Sequence, residues 1–108
     1  MRLSPVDPLM FNTFIGIGAA HFDKAEYDYA ALWIEKGLRE KPDAIWANRL
    51  LAASYFHAER SDEAKQTFAV FLERFPNLSI AQIIERAPGS DFMRNKFAEA
   101  FRSMGHSE

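Results

Sequence analysis

The sequence predicts an all-α protein built from antiparallel helix pairs, and three observations carry that reading. Apolar residues recur at three- and four-residue spacing, the period of a helix with one buried face. Strict apolar–polar alternation and Asn-Gly or Asp-Gly hairpin signals are missing. Finally, YDYAALWIEKGLREKP (27–42) and SDEAKQTFAVFLERFP (61–76) hold Asp28 and Asp62, Ala30 and Ala64, Leu38 and Leu72, and Pro42 and Pro76 in one register, 34 positions apart.

The elements follow in order. In VDPLMF, Asp7 stands as a cap and Pro8 at the first helical position, where its missing N–H costs nothing. A first helix of about Pro8 to Lys24 places Phe14, Ile17, Gly18 and His21 on one face. The second, roughly Tyr27 to Glu40, turns Tyr27, Ala30, Ala31, Ile34 and Leu38 inward, and Pro42 ends it. The third, Asp43 to Ala58, buries Leu51, Ala52 and Tyr55. Ser61 then caps a fourth helix, which carries Ala64, Phe68, Phe71 and Leu72 and stops before Pro76. Beyond it, Ser79 and Gln82 stand at capping-box spacing, and Pro88 breaks that helix. In the last helix Met93, Phe97, Ala100, Phe101 and Met104 share a face, with Gly105 at the C-terminal cap.

Laying 11–44 over 45–78 adds Ala19/Ala53 and Phe22/Phe56 to the identities, and Gly18/Ala52 keeps small size. Small residues at a fixed place on each helix let two antiparallel helices approach closely. The organisation is a lead-in over 1–7, repeat 1 over 8–42, repeat 2 over 43–78, capping helices over 79–104 and a tail over 105–108. Two units are fewer than such an array needs, so the capping pair is expected to cover the open end. Met10, Phe11, Phe14, Ile15 and Phe22 fall on several faces of the first helix, as at a junction with a preceding repeat. Left in water, Phe11, Phe14 and Ile15 would favour a homodimer through that helix.

Composition narrows the function. Among 108 residues, 48% are hydrophobic and ten are Phe, enough for a folded core. Thirteen basic against fifteen acidic residues, interspersed, leave a net charge of −2 and no basic stripe for nucleic acid. Without cysteine there is neither a disulfide nor a thiolate metal site. The longest apolar run, around Phe14 to Ala20, falls far short of the roughly 20 residues of a membrane span. The N-terminus lacks the apolar segment of a signal peptide, so a cytoplasmic domain without membrane insertion is expected.

Catalytic signatures are absent. His21, His57 and His106 have no metal-ligand or triad spacing, and His21 sits at a packing position. Glu35, Glu40, Glu63 and Glu73 lie beside basic residues, as on solvated helix faces. Gly16 and Gly18 are mid-helix with no preceding strand, so they form no phosphate loop. No catalytic residue, cofactor or metal ligand is assigned.

Helix pairs at a 34-residue period resemble the tetratricopeptide repeat (TPR) family over Phe11 to Leu78. The repeats are degenerate: His21, Ala25, Gly37, Asn48 and Ser61 depart from the family's usual residues. The resemblance implies a right-handed superhelix whose first helix in each pair lines a concave, partner-binding face. Carried over by position, that face holds Asn12, Ile15, Phe22 and Asp23 in the first unit. In the second it holds Trp46, Arg49, Phe56 and His57, with Ala19, Leu50 and Ala53 between them. Trp and Arg are the types that most often dominate binding energy. Alternatively, Trp46 and Phe56 pack under the terminal helix pair. The carboxylate clamp of chaperone-binding members is not matched, because Ile15, Ala19, Leu50, Ile80 and Ile84 stand at its positions.

RLSPVDP, FIGIGAAHF, LAASY and DFMRNKFAEAFRSMG are similar to the C-terminal TPR segment of bacterial class III adenylate/guanylate cyclase-like proteins and related winged-helix regulators. That resemblance implies a noncatalytic interaction or regulatory domain for a protein or peptide partner, including other domains of the same polypeptide. It leaves open a structural, self-associating module with no separate ligand.

Overall fold

Pro8 opens the first helix, as its fixed φ and absent N–H favour. In the computed structural model, which describes residues 8–86 and 90–106, the described residues form six α-helices and no strand. They are α1 Pro8–Asp23, α2 Tyr27–Glu40, α3 Asn48–His57, α4 Ser61–Arg74, α5 Ile80–Arg86 and α6 Asp91–Ser103. A 3₁₀ turn, Ile45–Ala47, leads into α3, so this helix begins five residues later than the sequence predicts. The chain is still turning at Pro42 and Asp43, which delays the first α-helical hydrogen bonds. Asp7 and Pro88, expected to cap and to break helices, lie outside the described residues.

The 34-residue period is present in the backbone itself. Each of α2 and α4 spans 14 residues, and their bounds coincide after that offset. The turns before them match as well. Ala25 and Glu59 both take the left-handed conformation, with φ of 62° and 65°. Their N–H groups donate to Phe22 and Phe56 carbonyls at 2.9 and 3.1 Å, and those of Glu26 and Arg60 to His21 and Tyr55 at 2.9 and 2.8 Å. A Cβ in this conformation costs about 1–2 kcal/mol, which is why glycine is common there. Gly105, with φ of 89°, does follow that preference: the His106 N–H closes onto the Phe101 carbonyl in a Schellman cap.

Helix caps divide the same way between expected and not. Ser79 and Gln82 form the reciprocal capping box, at 2.9 and 3.2 Å. Ser61, by contrast, is not a cap. It is the first residue of α4, Arg60 occupies the cap position, and no side chain accepts there. The turn that brings Arg60 N–H onto Tyr55 places the cap one residue earlier than the Ser61 expected from the sequence.

Close approach explains the small residues. A Cβ on Gly18 would stand 2.6 Å from Ile34 Cγ1 and 3.1 Å from the Ala30 carbonyl oxygen, so α1 and α2 touch there almost backbone to backbone. Ala52 and Ala64 are fully buried in the α3–α4 pair. The inner face of α1 runs through Phe11, Gly18 and Phe22, with Phe14, Ile17 and His21 only half-buried, a rotation from the face read in the sequence. Phe11 is 3% exposed and meets Trp46 edge to face at 5.7 Å. Phe14 lies against Trp33, and Ile15 comes within 2.9 Å of where a Cβ on Gly37 would sit. The apolar surface expected to drive a homodimer through the first helix is therefore largely packed within the chain.

Helix α3 is buried on nearly every side, from Leu50 through Tyr55, as befits a helix between α2, α4 and α6. Ser54, fully buried on this helix, donates its hydroxyl to the Leu50 carbonyl at 2.8 Å. The apolar face of α6 is the expected one, with Met93, Phe97, Ala100 and Phe101 buried. It covers more than the second unit: α6 packs on α3, α5 and α1. Phe101 stacks on Phe68 at 4.4 Å, and Phe97 meets Phe22 at 5.7 Å.

Candidate interaction surface

Helices α1 and α3 run side by side in the same direction, with Phe11 beside Trp46 at one end and Phe22 beside His57 at the other. The eight candidate residues lie along these two helices and the 3₁₀ turn, but α6 divides them.

Beneath α6 the face is closed. Phe22 is fully buried, its ring edge-on to Tyr27 and Phe97. The His57 side chain is 8% exposed, and Nε2 donates to the Lys96 carbonyl at 2.9 Å. A carbonyl can only accept, so Nε2 carries the proton, and Nδ1 faces Glu99 at 3.6 Å. Asp23 accepts from the Ser90 hydroxyl at 2.8 Å, while Ser90 Oγ itself accepts from the Met93 N–H as the N-cap of α6. One serine thus starts α6 and ties it to the end of α1, and the Asp23 charge sits favourably near a helix N-terminus. Phe56 lies half-buried at the border, edge-on to His57 at 5.2 Å. Phe22 and His57, expected to face a partner, are thus occupied by the chain's own last helix.

At the other end the face is open. Trp46 is 42% exposed, so it does not pack beneath the terminal helices. Asn12 is exposed on α1. Trp46 and Arg49 stand between two clefts. One, of about 160 Å³, is walled by Ile15 and Ala19 of α1, Leu50 of α3, and Met93 and Phe97 of α6, with Asp23 also on its border. The other is walled by Phe71, Phe75 and Leu78. Burial lowers the Arg49 pKa from its ordinary value, so the protein bears a desolvation cost for holding that cation there.

A polar cluster that sequence reading assigned to solvated faces joins α2 to α3 and α4. The Tyr55 hydroxyl donates to Glu35, and Arg60 lies over the Tyr55 ring at 4.5 Å. Arg60 donates to both Glu63 oxygens at 2.7 Å and reaches Asp28 at 3.4 Å. Burial and the bond to Glu35 push the Tyr55 phenol well above its ordinary range, and the bond to Arg60 lowers the Glu63 carboxyl. No periodic signal marks this cluster, because Glu35 and Tyr55 meet across 20 residues of chain.

The remaining histidines serve packing and turns: His21 pairs with Glu26 at 2.7 Å, and His106 Nε2 donates to the Leu78 carbonyl at 2.6 Å. Among the described residues, no three His, Asp or Glu side chains converge as metal ligands, and no helix is long and apolar enough to cross a membrane. Comparison with protein-family models, curated proteins and solved structures yields no match in any of the three.

Proposed function

We propose that this chain is a noncatalytic protein-interaction domain of TPR type that works within a bacterial signalling protein of the class III cyclase kind. What supports the TPR reading is the coincidence, at an offset of 34 residues, of helix bounds and of left-handed turns at Ala25 and Glu59. The cyclase context rests on the sequence resemblance alone. The partner docks on the open end of the α1–α3 face, with Trp46 and Arg49 as anchors. The end at Phe22 and His57 is filled by α6 and takes no partner.

A photo-crosslinking side chain at position 46, compared with one at Val70, tests this in the intact host protein. Val70 is equally exposed at 42%, but lies on α4. The expected result is a discrete adduct from position 46, to another protein or another domain of the same polypeptide, that weakens in Arg49→Ala. Adducts only between copies of this chain would favour a self-associating structural module instead. Equal labelling from both positions would remove the docking assignment.

A further inference from the structure

The sequence turns Phe14, Ile17 and His21 of α1 inward, yet the fold leaves all three half-buried, in line with Met10 at 41% exposure. Register explains that apolar signal. Thirty-four residues on stand Ala44, Asn48, Leu51 and Tyr55, all buried, and Tyr55 donates to Glu35 of α2 as α3 packs on that helix. On α1 the equivalent stripe faces outward. It continues onto α2 through ring contacts, Phe14 with Trp33 at 5.7 Å and His21 with Tyr29 at 5.4 Å. Tyr29 is 59% exposed and Trp33 half-buried, whereas the equivalent positions of α4 hold Glu63 and Thr67. A contiguous apolar and aromatic edge, where the second unit is polar, marks an interface. Phe11 and Ile15 pack inside the chain and lie off this edge.

We infer that this α1–α2 edge pairs with the same edge of a second copy, the two α1 helices antiparallel about a two-fold axis beside Ile17. Charge favours the arrangement. Lys24 lies seven residues after Ile17 and Met10 seven before it, about two turns either way, so the axis sets Met10 level with the partner's Lys24. Glu40 reaches that level from α2. It stands one turn past Gly37, which lies against Phe14 and Ile15 in the antiparallel α1–α2 pair. Each copy thus brings Glu40 toward the partner's Lys24, in two symmetric contacts. Neither residue forms an ion pair with another described residue. A patch that complements itself in this way is what a two-fold interface requires. Head-to-tail stacking fits worse. It would put α4 to the use that α2 has against α3, with Lys65 in the place of the fully buried Ala31. The edge includes neither Trp46 nor Arg49, so the inference stands apart from the docking site proposed above.

Sedimentation equilibrium of the whole chain, from micromolar to near-millimolar concentration, tests this. The expected result is a reversible monomer–dimer equilibrium without larger species. Ile17→Glu should leave a folded monomer throughout, while Val70→Glu, at an exposed site on α4, should dimerise like the wild type. Lys24→Glu sets like charges at both symmetric contacts and should weaken the dimer about tenfold. Adding Glu40→Lys should restore it. Lys24 is exposed and Glu40 half-buried, so this exchange decides the matter even where Ile17→Glu fails to fold. A monomer at every concentration would overturn the inference, as would a dimer that survives Ile17→Glu or a Lys24→Glu loss that Glu40→Lys does not repair. Growth into longer oligomers would overturn it too, in favour of head-to-tail stacking.

Discussion

Phe22 and Phe56 hold the same place in the 34-residue repeat, yet Phe22 is sealed under α6 and Phe56 sits half-buried at its edge. Asp23 and His57 are likewise repeat equivalents, as are Ile15 and Arg49, and Asn12 and Trp46. At one end of the α1–α3 face these pairs are fastened to α6 through Ser90 and the Lys96 carbonyl. At the other they stay open around Trp46 and Arg49. Periodicity fixes which side chains point to the face, and a helix outside the period decides which remain available.

Substitutions at the two ends should therefore differ most in stability. Phe97→Ala removes a fully buried ring from the closed end and should cost about 3–5 kcal/mol. Trp46→Ala at the open end should cost no more than about 1 kcal/mol, chiefly through its contact with Phe11. Urea unfolding of both variants checks this, and equal losses would erase the distinction between the ends.

Gly18→Leu tests the frame beneath the face. Its first added carbon already meets Ile34 at 2.6 Å, so overpacking should cost about 1–3 kcal/mol and lower the thermal midpoint.

Tyr55→Phe separates the junction between the helix pairs from the contribution of α6. It leaves the half-buried Glu35 carboxylate without its donor and should cost about 1–2 kcal/mol at neutral pH. The sign with pH follows from the phenol being raised above its ordinary 10.0. Below that value folded and unfolded chains both keep the proton. As pH rises past it, the unfolded state loses the proton first, so wild-type stability falls. Unfolding curves in alkaline buffer should show that decline in the wild type and a flatter profile in Tyr55→Phe.

The smallest expected effect is a gain. Ala25→Gly and Glu59→Gly relieve left-handed strain in equivalent turns, and each should stabilise by about 0.5–1 kcal/mol. Calorimetry of the two single variants should show similar increments, since the turns share their hydrogen bonds.

Much of this frame was legible in the sequence because helices and their pairing are written in local periodicity. The apolar face of α6, the Ser79–Gln82 box, the Gly105 cap and the close approach at Gly18 all follow from spacing or residue type. Burial that depends on where a distant helix lands was not legible. Nothing near Phe22 or His57 announces that α6, some 40 to 70 residues further on, will cover them. The same holds for Phe11, which reads as an exposed interface residue until Trp46 is placed against it. The Glu35–Tyr55–Arg60 cluster was missed for that reason too, as charged residues on a helix carry no mark of a partner across the fold.

Native-state hydrogen exchange of the whole chain distinguishes most directly between α6 as an integral part of the fold and α6 as a loose flap. If α6 closes the face as a structural element, the amides of Phe97, Ala100 and Phe101 exchange only with global unfolding, at the same opening free energy as Leu51 to Ser54 of α3. Fast exchange along α6 with α3 still protected would contradict this, and would return Phe22 and His57 to the open face.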